Sequence, residues 1–212
     1  IEQQYKDDAA KLSADELLYL ATFDKTPAEQ EAIYTKTTQI YDKDYRAYNN
    51  LAALALAKGD KAAAQKYAEK AASLGSDTPE AQANMGLLAL VNGNVQDAER
   101  AISKSANSEN VKAALGALNI AKGNYAQAEQ YFGKTNSNTA ALAQLLNKNY
   151  AAAAKTLDKV QNPNAMTDYL HAVVAARRGN KFAASSYLKE ALQKDPSLKQ
   201  YAENDLELSL LK

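Results

Sequence analysis

The chain has 212 residues, with 25 basic and 25 acidic side chains, one histidine and no cysteine. This balance excludes a global electrostatic pull toward nucleic acid or an acidic membrane. The cysteine and histidine counts exclude disulfides, thiol catalysis and nearly every zinc site, while fitting either a reducing or an oxidising compartment.

The apolar content is mostly Ala and Leu, which favours helices packed closely through small residues. No apolar run approaches the ~18 residues that a bilayer-spanning helix needs. The first residue is Ile1, which reads as a mature chain or a piece of a longer polypeptide.

Ser13-Ala-Asp-Glu16 and Thr26-Pro-Ala-Glu29 predict two capped helix starts, with Pro27 at the first helical position of the second. Between them, Asp24-Lys25-Thr26-Pro27 stands where later units carry a glycine turn. From Tyr45 onward a punctuation sets in. Gly59, Gly93, Gly123 and Gly179 each follow an apolar helical stretch and precede Asp60, Asn94, Asn124 or Asn180. Five residues beyond each glycine stands Ala64, Ala98, Ala128 or Ala184. The step from Gly59 to Gly93 is 34 residues, and from Gly93 to Gly123 it is 30.

Glycine just past a helix takes the left-handed conformation without a Cβ clash. The Asp or Asn after it suits the next N-cap. The alanine one turn further on lets the second helix approach the first, so these four alanines are expected to be buried at hairpin contacts. Gly86 and Gly116 are placed where two first helices would touch, and Gly75 where a C-cap falls. Asp77-Thr-Pro-Glu80 opens another helix. Asn147-Lys148-Asn149-Tyr150, with Ala153 and Leu157, marks a unit with a shortened first helix. Asn162-Pro-Asn164 breaks the chain, Asp195-Pro196 closes the last unit, and Lys199–Leu211 reads as one more helix.

This pattern resembles the tetratricopeptide repeat, a helical hairpin of about 34 residues. The unit from Tyr45 carries Tyr48, Leu51, Ala52, Gly59, Asp60, Ala64 and Ala71. The next carries Met85, Gly86, Gly93, Asn94, Ala98 and Ile102. The third carries Leu115, Gly116, Gly123, Asn124, Tyr125, Ala128 and Phe132, and the last Ala172, Gly179, Asn180, Ala184, Leu188, Ala191 and Pro196. The resemblance implies an all-α fold, a right-handed superhelix (α-solenoid) of about five to six hairpins. Residues 1–44 form an atypical first repeat, 45–196 the central repeats and 197–212 a capping helix.

Catalytic chemistry finds no foothold. His171 has no second histidine, cysteine or acid cluster beside it in the sequence, and reads as a packed residue. Asp42 and Asp44 read as capping or solvated acids. No phosphate-cradling glycine motif occurs. Arg177-Arg178 reads as a helix C-terminal basic pair. Of the thirteen tyrosines, Tyr34, Tyr48, Tyr125, Tyr131, Tyr150 and Tyr187 fall at or beside packing positions, and no basic residues gather around them as single-stranded nucleic acid would require.

In the repeat family the first helix of each hairpin lines a concave groove. That resemblance implies partner-binding positions at Arg46, Asn49, Asn50, Asn84, Leu87, Leu90, Asn110 and Tyr169. The family's Lys/Asn/Arg clamp for a C-terminal carboxylate is not reproduced, since only Asn84 matches it. The expectation is a non-catalytic scaffold without cofactor or metal. It would hold a protein or peptide segment between apolar walls and a solvent-accessible asparagine rim. The alternatives are a glycan or peptidoglycan-fragment module, or a groove covered by the chain's own terminal helix. The irregular Ala-rich units resemble those of bacterial envelope proteins, which implies a periplasmic or outer-membrane-associated location, with the cytoplasm as the alternative.

Overall fold

The computed structural model of the protein describes residues 1–75, 78–104 and 111–211. Among the described residues there are fourteen α-helices and no strand. The chain divides into two compact units, Ile1–Leu118 and Asn119–Lys212.

The first unit begins with α1 (Glu2–Asp8) and a 3-10 turn (Ala9–Lys11), followed by three helix pairs. They are α2 (Ala14–Thr22) with α3 (Pro27–Ile40), α4 (Tyr45–Lys58) with α5 (Lys61–Leu74), and α6 (Pro79–Val91) with α7 (Val95–Ser103). The expected capping boxes form: Ser13 Oγ accepts from the Glu16 amide, and the Glu16 carboxylate accepts from the Ser13 amide. Thr26 and Glu29 repeat this at α3. Asp77 and Asn110 lie outside the described residues.

Helix α8 (Lys112–Ala121) runs across the division, and α9 (Tyr125–Phe132) belongs to the second unit. There α10 (Asn138–Leu146) pairs with α11 (Tyr150–Leu157) and α12 (Ala165–Arg177) with α13 (Lys181–Lys194), before α14 (Leu198–Asn204). The expected shortening is present, since α10 has 9 residues and α11 has 8.

One turn geometry recurs five times. The Gly59 amide donates to the Leu56 carbonyl at 3.1 Å and the Asp60 amide to the Ala55 carbonyl at 2.9 Å. This is the crossed pair of bonds that closes a helix through a left-handed residue. The same pair forms at Gly93, Gly123 and Gly179, each with φ of 77–78°. At the fourth turn the left-handed residue is Lys148, φ 63°, a position its type occupies only at a steric cost. Asp60, Asn94 and Asn180 then cap the next helix through a backbone amide.

The alanines behave as the spacing predicts. Ala64, Ala98, Ala128 and Ala184 are each fully buried, and so is Ala153, their equivalent after Lys148. Gly86 corrects one expectation. A Cβ there would overlap Ile102 Cγ1 and stand 2.8 Å from its Cδ1, so the glycine admits the second helix of its own hairpin, not a neighbouring first helix. Gly75 ends α5 without a left-handed φ, and its missing side chain makes room for the Tyr45 ring, 2.8 Å from where a Cβ would sit.

The terminal segment departs from the single helix expected at Lys199–Leu211. Helix α14 stops at Asn204, and a 3-10 turn lies at Ser209–Leu211. The cause is Asp205, whose carboxylate accepts from the Glu207 amide at 2.9 Å and from the Tyr169 hydroxyl at 2.9 Å. The bond to the Glu207 amide is local and competes with helix continuation, and the Tyr169 bond fixes the carboxylate that makes it. Leu198, Ala202 and Leu208 pack with Ala172, Val173 and Ala191, so this broken element still covers the apolar face of the last hairpin.

Gly86→Ala is expected to cost about 1–3 kcal/mol through overpacking, whereas Lys148→Gly stabilises by about 1 kcal/mol by relieving the left-handed residue. Urea midpoints of the two variants against the parent protein check both signs.

Candidate functional site

Helices α4 and α6 are first helices of consecutive hairpins. Asn84 Nδ2 donates to Asn49 Oδ1 at 2.8 Å and to the Asn49 backbone carbonyl at 3.0 Å. Both asparagines are buried, at 8% exposure for Asn49 and 7% for Asn84. This corrects the expectation of a solvent-accessible asparagine rim. A buried amide is stable only when paired, and these two pair with each other, tying one hairpin to the next.

Arg46 is also internally engaged. Its guanidinium reaches Asp15 at 2.7 Å and Asp44 at 2.6 Å. The Arg46 hydrogen bonds hold the Asp44 carboxyl below the usual range, and the two carboxylates push Arg46 further up. Arg46 therefore caps the start of α4 through Asp44 and links it to Asp15 of the preceding hairpin by an exposed ion pair.

One residue past the buried Asn49 the surface opens. Asn50 is half-buried, and its side chain makes no hydrogen bond among the described residues. Ala53 is exposed. On α6, Leu87 and Leu90 are half-buried and Val91 is 41% exposed. Helical spacing puts Asn50 and Ala53 on one stripe of α4, and Leu87 with Leu90 and Val91 on one stripe of α6. The two helices that carry these stripes pack against each other. The repeat resemblance named Asn50, Leu87 and Leu90 among its groove positions and did not name Val91, whose apolar side chain at the end of α6 was the only signal.

In the second unit Tyr169 is buried at 9% exposure and its hydroxyl donates to Asp205. Burial, then the Asp205 hydrogen bond, pushes its phenol far above the ordinary value. Tyr169 thus lies against the terminal segment, where it also lines a recess of about 380 Å³ between α10 and α12. Leu142, Leu145 and Leu146 form one helical stripe in the shortened unit that Asn147–Tyr150 marks, but nothing local in the sequence showed that the terminal segment would border a recess over it.

His171 stacks on Tyr187 with ring centroids 4.6 Å apart and planes 14° from parallel. Its Nε2 stands 3.7 Å from Asp158 Oδ1. Burial lowers the imidazole below its ordinary value, against the opposing pull of Asp158 and Asp168. Among the described residues no group of three or more His, Cys, Asp or Glu is placed to hold a metal ion. Tyr34 is core, while Tyr48, Tyr125, Tyr131, Tyr150 and Tyr187 are half-buried. Among the described residues no helix is long and apolar enough to cross a membrane.

No protein-family model and no curated protein matches the chain. Solved structures do. A tetratricopeptide repeat protein from Parabacteroides merdae aligns over 99% of this chain and 89% of its own, at 19% identity and TM-score 0.55. A chain of the APC/C hetero-tetramer Cut9–Hcn1 aligns over 99% of this chain but only 43% of its own, at 19% identity and TM-score 0.60. PilW, described as a widely conserved type IV pilus biogenesis factor, aligns over 93% of this chain and 97% of its own, at 17% identity and TM-score 0.51. The protein has the tetratricopeptide-repeat fold: all-α, built of consecutive helical hairpins.

These contacts carry two expected outcomes. Asn84→Ala leaves both Asn49 acceptors without their donor and is expected to cost about 1–3 kcal/mol, read as a lowered urea midpoint. For His171, the folded value lies below the unfolded one near 6.5. The unfolded chain therefore binds more protons as pH falls through that window. Its contribution to stability is complete above the unfolded value and declines on acidification below it. A histidine proton-shift titration should give a midpoint below 6.5, and His171→Phe, which keeps the stack, should flatten that part of the melting-temperature profile.

Proposed function

We propose that this chain is a non-catalytic protein-interaction scaffold whose binding face in the first unit is the α4–α6 stripe. The observation that carries this reading is the division of labour along the two helices. Arg46, Asn49 and Asn84 are consumed in fixing the hairpins, while Asn50, Ala53, Leu87, Leu90 and Val91 remain accessible beside them. A rigid surface with apolar anchors and one free amide suits an amphipathic helix or an extended segment. Leucines enter a partner's apolar face, and Asn50 pairs with its main chain. The glycan reading needs tyrosine and asparagine side chains exposed together. The asparagines Asn49 and Asn84 and the phenol Tyr169 that it would use are paired internally.

We place the protein in the bacterial cell envelope. PilW, of like fold, is described as a pilus biogenesis factor, and the Ala- and Asn-rich composition agrees with such a setting.

Leu87→Asp is expected to abolish co-purification of the partner from the native cell extract while leaving the circular dichroism spectrum and melting temperature within error. Lys66→Ala, on α5, should leave co-purification intact. Retention of the same partner by Leu87→Asp would overturn the assignment of this face.

A further inference from the structure

The recess between α10 and α12 has a floor of Leu142, Leu145, Leu170 and Val173 and a volume of about 380 Å³. Lys148, Arg177 and the chain's own Asp205-Leu206-Glu207 also line it. The terminal segment is held there by two polar ties. The Tyr169 hydroxyl donates to Asp205 at 2.9 Å, and Arg177 meets Glu207 at 2.6 Å. Between them Leu206 is 82% exposed and does not fill the recess. The segment therefore satisfies the polar groups of the site and leaves its apolar volume empty.

We propose that this recess is a docking site for an acidic partner segment with a bulky aliphatic residue between two carboxylates, and that Asp205-Leu206-Glu207 is its resident competitor. The charge pattern argues for that occupant. Arg177 and Tyr169 already hold a carboxylate–Leu–carboxylate sequence, and Lys148 adds a further cation to the lining. A segment arriving from outside is free to turn its aliphatic side chain onto the leucine floor. Leu206 is held away from it by the anchors on either side, Ala202 and Leu208, which are buried in the end of the last hairpin. The Arg177–Glu207 tie is the weaker of the two, since Arg177 is 47% exposed and a partly exposed ion pair contributes little; the Tyr169–Asp205 bond, whose phenol is buried, is the one an incoming carboxylate must replace in kind. In this proposal the loop 205–207 exchanges while α14 stays packed.

This inference rests on the scaffold reading but uses residues of the second unit alone, so it can fail while Leu87-dependent binding persists, and the reverse. The test uses a fluorescein-labelled peptide of the sequence ENDLELS, copied from residues 203–209, titrated by fluorescence anisotropy into the full chain. The double variant Asp205→Asn/Glu207→Gln is expected to bind it at least tenfold more tightly than the parent protein. Adding Arg177→Ala to that variant, or replacing the peptide's leucine between the acids with serine, should remove the gain. Equal affinity of parent and double variant, or binding indifferent to Arg177 and to that leucine, overturns the proposal. Should the double variant fail to fold, the peptide is titrated into the isotopically labelled parent protein. Amide shifts at Tyr150, Leu206 and Glu207 support the proposal, and their absence at millimolar peptide overturns it. Self-association of the parent protein that Leu206→Ser abolishes would give the recess to a second copy of the chain and overturn a separate partner.

Discussion

From Gly59 onward, each hairpin depends on how closely its two helices approach one another. The limit is set by the side chain that the second helix presents to the first, one turn after the connection. Alanine fills that place at Ala64, Ala98, Ala128, Ala153 and Ala184, each without exposure. At Gly86 the approach is tighter still, and only a hydrogen fits against Ile102. Close packing of small residues makes many weak dispersion contacts at little cost in side-chain entropy. The helices themselves are short, 8 to 14 residues among the hairpins, and helices of that length are marginal alone. They persist because the turns deliver each one onto its neighbour in one register.

Consecutive hairpins are joined by a different device in the first unit. The Asn84 amide donates twice to Asn49 inside a dry contact between α4 and α6. A buried polar pair of this kind tolerates only the arrangement in which both partners meet. Next to this pair the surface is more open: Asn50, one residue past Asn49, is half-buried, Ala53, one turn on, is exposed, and Leu87, one turn past Asn84, is half-buried.

The second unit ends differently. A terminal helix covers the last apolar face and stops at Asp205, whose carboxylate takes the Glu207 amide that a continuing helix would use and is held in place by the Tyr169 hydroxyl. Past that stop the chain forms a loop, anchored by Leu208 on one side and Ala202 on the other. The same break puts carboxylates along an unfilled recess. The stop at Asp205 thus bears on both the cover of the last hairpin and the edge of the recess between α10 and α12.

The sequence by itself determined the helical class, the helix boundaries set by caps, and the hairpin register from Gly59 to Ala184. These are local matters: a left-handed turn, an N-cap and a small residue one turn later all lie within a few residues of one another. Lys148 was legible as a turn only through its flanking asparagines, because its own type does not favour positive φ. The tertiary structure decided which asparagines face solvent and where the terminal helix stops. Asn49 and Asn50 are adjacent and identical in chemistry, yet one is buried because Asn84, 35 residues away, arrives beside it. Asp205 looks like any helix-surface acid until Tyr169, 36 residues away, brings a hydroxyl to it. Long-range hydrogen bonds leave no local pattern in the chain, since either partner satisfies water equally well until packing excludes it.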